Sequence, residues 1–149
     1  MKMNIKNQLV CGTYKQLFDL FIEQHKERLE EVLGNKTITL LELPHPEPIS
    51  VIPSINGWEI IINNDKLNSL CLDQDELFAC IFHEFGHIAD NTPRHKQQER
   101  EFNADKFACE GGGKDFLICA LQKMLKNTEG LTEQDMQRIN ERISRCETY

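Results

Sequence analysis

The chain has 149 residues, 40% of them apolar, which suits one domain with a real buried core. Its net charge of −7 and pI near 5.2 argue against a general nucleic-acid or anionic-membrane surface. No apolar run approaches the length of a transmembrane helix.

The first eleven residues hold no apolar core of signal-peptide length. Leu9-Val10-Cys11 has the look of a lipoprotein cleavage site, but nothing apolar precedes it. The chain therefore reads as cytoplasmic. Its six cysteines (Cys11, Cys71, Cys80, Cys109, Cys119 and Cys146) contain no Cys-x-x-Cys pair. Cys71, Cys80, Cys109 and Cys119 sit among apolar neighbours, as free buried thiols do. A disulfide framework is not expected in that compartment.

Residues 13–33 read as one helix, with Thr13 as N-cap and Leu17, Phe18, Phe21, Ile22, Leu29, Val32 and Leu33 at helical spacing. Gly34-Asn35 stops it. His25 on this helix is expected to be exposed. Lys36 to Leu43 reads as a strand, and Pro44-His45-Pro46-Glu47-Pro48 as an extended loop. Ile49-Ser50-Val51-Ile52 is a second short strand, and residues 54–57 form a turn. Trp58 to Asn63 is the clearest strand, with three isoleucines in a row. The expectation is an α+β fold: an N-terminal helix, a small antiparallel sheet and a helical C-terminal half.

Asp73 caps the next helix, with Glu76 three residues on as in a capping box. This helix carries His83-Glu84-Phe85-Gly86-His87, a His-Glu-x-x-His motif. Lone histidines on helices are usually without a ligand role. Two residues four apart, however, share a helix face, so His83 and His87 can direct ring nitrogens at one metal ion. Glu84, roughly 100° round the helix, is placed to act as base toward a water on that metal. A catalytic zinc site also needs a third protein ligand. On a second helix, Glu101 and Asp105 share a face. Glu101 can be that ligand, and Asp105 can accept a hydrogen bond from the other nitrogen of a zinc histidine. Glu99 is the competing third ligand. It lies roughly 200° from Glu101 and shares its face with Asn103, a poorer partner. Gly86 costs about 1 kcal/mol relative to alanine in a helix, which points to a close backbone approach there.

Gly111-Gly112-Gly113 lacks the strand and the Lys-Ser/Thr of a phosphate loop and reads as a flexible helix stop. Residues 116–125 form a further helix. Thr132 caps a last one, with Met136, Ile139 and Ile143 on one side.

The phrase His83-Glu84-Phe85-Gly86-His87, followed by Glu101-Phe102-Asn103-Ala104-Asp105-Lys106-Phe107-Ala108, resembles the gluzincin metallopeptidases. The likeness is to the HtpX-like and CAAX-prenyl-protease group, and within it to the minimal soluble minigluzincins. It covers about residues 58–126. It implies a zincin-like domain over residues 1–149, with Zn2+ on His83, His87 and Glu101, Glu84 as general base, and Asp105 behind His83. It implies a peptide or unfolded protein as substrate, held as an added strand at a sheet edge such as Trp58–Asn63 or its neighbour. It also implies that a latent form, with a chain end in the cleft, can occur. Glu141-Arg142-Ile143 is similar to a late Glu-Arg-Ile phrase of the family, without the His-Pro that often precedes it. His95, Arg142 and Tyr149 are the candidates for stabilising the oxyanion. A cysteine as an inhibitory fourth zinc ligand is a further alternative.

The metzincin pattern wants Gly at position 90 and His or Asp at 93, where this chain has Asp90 and Pro93. A regulatory protease of the ImmA/IrrE kind, cleaving a repressor, is the nearest rival. Its Ala-Asn-x-Phe-Ala phrase appears here with the order changed. A non-catalytic zinc domain is the rival of another class, and retention of Glu84 speaks against it.

Overall fold

The computed structural model describes the backbone of residues 4–7 and 12–149, and the side chains from Tyr14 onward. Cys11, the Leu9-Val10-Cys11 phrase and the Thr13 cap side chain lie outside the described residues. The chain divides into two compact units, residues 1–66 and 67–149. It is mixed α and β, mostly helical.

The first unit contains β1 (Asn4–Asn7), α1 (Gly12–Gln24), α2 (Lys26–Leu33), β2 (Thr37–Glu42), β3 (Ile49–Ser54) and β4 (Gly57–Ile62). The single helix expected over 13–33 is two. The backbone of His25 leaves helical geometry at φ −119°, ψ 20°. Apolar spacing continues in phase across this joint, so periodicity does not reveal it. His25 is half-buried rather than exposed, with its ring 4.9 Å from that of Phe21.

The sheet has strand order β1-β2-β4-β3 and is mixed, which corrects the antiparallel expectation. β3 pairs antiparallel with β4 as a hairpin, Ile49 opposite Ile62. β2 pairs with β4 in parallel, Thr37 opposite Gly57, and β1 pairs with β2 in parallel. The hairpin folds so that β3 takes the edge. β4 is thereby paired on both sides, and Ile60, Ile61 and Ile62 are all buried, as a doubly covered strand requires.

A short helix, α3 (Asn64–Ser69), which sequence reading does not supply, lies across the division at residue 66. The second unit then holds α4 (Gln74–Ala89), α5 (Gln97–Ala108), α6 (Lys114–Asn127) and α7 (Glu133–Glu147). The capping box at α4 is formed: the Asp73 carboxylate accepts from the Glu76 N–H at 2.8 Å, and Glu76 accepts from the Asp73 N–H at 2.8 Å. Thr132 caps α7 with Asp135 in the same reciprocal way. Residues 76–86 of α4 are buried without interruption, so this helix is the axis of the unit. Lys123 of α6 reaches the Glu76 carboxylate and ties α6 to the start of α4. Between α5 and α6, Cys109–Gly113 forms one π turn, in which Gly112 takes φ 91°. That left-handed conformation suits glycine and lets the chain change direction.

No helix among the described residues is long and apolar enough to cross a membrane. The described cysteines are free. Cys80 and Cys146 are buried, Cys109 is half-buried, and Cys71 and Cys119 are exposed, contrary to the expectation for those two.

Candidate metal centre

The site is built by bringing α5 very close to α4. A Cβ on Gly86 would stand 2.8 Å from Ala104 Cα, 2.9 Å from Ala104 O and 3.0 Å from Phe107 Cβ. No residue but glycine lets the helices pack at this distance. The close approach expected at Gly86 is therefore observed, and it is the backbone of α5 that approaches. Ala104, buried completely, is the small residue on the other side. Glu101, one turn before Ala104, arrives beside the two histidines.

His83 Nε2 lies 3.0 Å from Glu101 Oε2, and His87 Nε2 lies 3.5 Å from Glu101 Oε1. The two Nε2 atoms are 3.1 Å apart. His83, His87 and Glu101 are a group that could hold a metal ion, each offering one ligand atom. Glu99, the competitor, is exposed and 3.8 Å from Lys96 Nζ. Glu84 is buried on α4 beside His83, 7% exposed.

Behind His83, His87 and Glu101 is a second set of charges. His83 Nδ1 donates to Asp105 Oδ1 at 2.7 Å. Asp105 is wholly buried. Arg142 of α7 donates to it twice, from Nε to Oδ2 at 2.9 Å and from Nη2 to Oδ1 at 2.8 Å. This bidentate fork is the strong form of an arginine–carboxylate contact. Arg142 Nη1 also lies 3.8 Å from Glu101 Oε2. The orientation follows: Asp105 takes Nδ1 of His83, so Nε2 is the nitrogen turned to Glu101. His87 differs, because its Nδ1 is buried with no hydrogen-bond partner among the described residues.

The electrostatics match this layout. Burial disfavours a charged His83, but Asp105 and Glu101 overcome it and raise its pKa to about 10. Burial and the neighbouring His83 lower the pKa of His87, against the pull of Glu101. Burial opposes ionisation of Glu101, yet hydrogen bonds from His83 and His87 hold its carboxyl far below the usual range. Asp105 is likewise held low against its burial by Arg142 and His83. Two carboxylates thus face one guanidinium, and one more positive charge balances them. A proton on His83 supplies it; a bound cation on the same atoms would serve as well.

Zinc fits this donor set. Two ligands about 2.0–2.1 Å from one ion at the tetrahedral angle stand roughly 3.3 Å apart. The His83–His87 separation of 3.1 Å, and the 3.0 and 3.5 Å from His83 to Glu101 Oε2 and from His87 to Glu101 Oε1, bracket that value.

The three oxyanion candidates lie elsewhere or are already engaged. Arg142 is committed to Asp105. Tyr149 Oη donates to the Phe102 carbonyl at 3.3 Å. His95 is exposed in the segment between α4 and α5. The position of Arg142 behind Asp105 is what sequence reading missed. Its only signal was the Glu141-Arg142-Ile143 phrase, which gives no partner. No protein-family model, curated protein or solved structure matches the chain.

Proposed function

We propose that the chain is a zinc-dependent endopeptidase of the gluzincin type, with a zincin-like catalytic unit. The observation that carries this reading is the convergence of His83 Nε2, His87 Nε2 and the Glu101 carboxylate, whose Oε2 faces His83 and whose Oε1 faces His87, at spacings of 3.0–3.5 Å, with a carboxylate adjacent in sequence that is not one of the three. His83, His87 and Glu101 would hold the ion, leaving one position open. Zinc bound there would acidify a water and polarise a peptide carbonyl.

The chain's own residues do the rest. Glu84 takes the proton from the attacking water and delivers it to the departing amide nitrogen. Its burial, at 7% exposure, keeps bulk water from competing for that proton. Asp105 holds His83 by Nδ1, and Arg142 holds Asp105, so the imidazole keeps Nε2 turned toward Glu101 and His87, where an ion would bind. Substrates are peptides or unfolded protein segments, held in extended form.

The test is Glu84→Gln. This variant should keep stoichiometric zinc and lose cleavage of an unfolded casein-type substrate by about 10²–10⁴-fold. Persistent turnover in the variant would remove Glu84 from the reaction. Zinc binding by the wild-type chain with no cleavage of any unfolded substrate would leave a non-catalytic zinc domain.

A further inference from the structure

Cys109 and Cys146 take no part in the chemistry above. Each lies one helical turn beyond a member of the Asp105–Arg142 pair. Cys109, the residue that follows α5, keeps helical backbone at φ −64°, ψ −41° and so continues the face that carries Asp105. Arg142 and Cys146 share a face of α7 in the same way. Other contacts run along the same seam. The Arg145 guanidinium stacks on the Phe102 ring at 4.3 Å, and Tyr149 Oη reaches the Phe102 carbonyl. Lys114 Nζ donates to the carbonyl oxygens of Glu147 and Tyr149 at 3.1 and 2.9 Å. Cys109 and Cys146 lie on this seam, each one turn beyond the Asp105–Arg142 contact, and each thiol shifts the other's titration. Cys146 is fully buried, and Cys109 is half-exposed.

We propose that Cys109 and Cys146 are a redox-responsive thiol pair that closes into a disulfide, stapling α7 to α5 one turn beyond the Asp105–Arg142 contact. The inference does not depend on the peptidase reading. The arrangement divides the two roles of thiol–disulfide exchange. Cys109 is the reachable sulfur, and the neighbouring Cys146 thiol lowers its pKa. The Cys109 thiol beside Cys146 and the burial of Cys146 both raise the pKa of Cys146. Cys109 therefore attacks first. It gives its proton to solvent and attacks one sulfur of a low-molecular-weight disulfide, expelling the other half as a thiolate. A mixed disulfide on Cys109 results. Cys146 then attacks the Cys109 sulfur and expels the second half, which carries away the Cys146 proton. Two protein thiols are oxidised, and one small disulfide is reduced to two thiols. Cys80 does not compete, because burial and the nearby Glu84 push its thiol up to about 12.

The experiment uses the full-length chain, incubated with oxidised glutathione, alkylated and digested without reduction. The expected dominant crosslink joins the Cys109 and Cys146 peptides. The oxidised chain should melt roughly 5–10 °C higher than the reduced one, and a dithiol reductant should reverse both changes. Cys109→Ser should abolish the crosslink and the rise; a Cys71→Ser/Cys119→Ser double variant should retain both. Dominant crosslinks through Cys71 or Cys119, glutathione that stays on Cys109 without closure, or closure without a rise in melting temperature would each overturn the proposal. Should Cys109→Ser fail to fold, the wild-type crosslink map decides alone.

Discussion

Gly86→Ala sets two well-known effects of the same methyl group against each other. On an isolated helix the change stabilises, by about 1 kcal/mol. Here the new Cβ would stand 2.8 Å from Ala104 Cα and 2.9 Å from Ala104 O. Both are backbone atoms, which cannot rotate aside. Ordinary contact begins near 3.4 Å, so α5 must retreat from α4 by about 0.6 Å. Overpacking of this kind costs about 1–3 kcal/mol. The net effect is a loss of up to about 2 kcal/mol, which lowers the melting temperature by up to about 8 °C. The consequence for the metal is larger than that for stability. Glu101 rides on α5 one turn before Ala104, so its oxygens withdraw from His83 and His87 with the helix. Ligand sites tolerate about 0.5 Å of displacement. Zinc affinity should therefore fall by roughly 10–100-fold, the range of changes that misplace a ligand without deleting it. Competition with a chromogenic chelator measures the affinity, and a thermal melt measures the stability. A Gly86→Ala protein that melts higher than wild type and binds zinc equally well would refute the close-packing argument.

Three other outcomes follow from the same geometry. Glu101→Ala should lower zinc affinity sharply, Asp105→Ala by roughly 10–100-fold, and Glu99→Ala scarcely at all; chelator competition that finds zinc lost from Glu99→Ala but kept in Glu101→Ala reverses the assignment. Arg142→Ala leaves the wholly buried Asp105 without its guanidinium, a loss of about 3–5 kcal/mol visible in denaturant unfolding. Arg142→Lys, which keeps the charge but not the fork, should recover only part of it, and full recovery would show that the bidentate geometry is unimportant. The third concerns pH. In the metal-free chain the His83 pKa is raised from its ordinary 6.5 to about 10. The stability this imidazolium contributes is therefore complete below about pH 6.5 and lost as pH rises through 10. At pH 7 the metal-free His83 carries a proton, so zinc uptake should release about one proton. Calorimetry in buffers of different ionisation enthalpy would detect it, and an enthalpy independent of buffer would contradict the raised pKa.

The grouping of His83, His87 and Glu101 could be read in part from the sequence because much of its geometry is local. His83 and His87 share a face for the same reason any i, i+4 pair does, and so do Glu101 and Asp105. The Asp73 and Thr132 caps are equally short-range: an oxygen three residues from an unsatisfied N–H. Even the meeting of α4 and α5 left a trace, since Gly86 is an unfavourable residue in a helix unless something must come close. What the tertiary structure decided were contacts between residues far apart in sequence. Arg142 carries no local sign that it belongs to Asp105, 37 positions earlier; only the packing of α7 on α5 makes the pair. The parallel pairing of β2 with β4 has the same origin, because strand propensity states that a segment is extended but not which neighbour it will take. The joint at His25 failed for the opposite reason. Both halves keep one apolar phase, so a break in the backbone leaves the hydrophobic pattern intact.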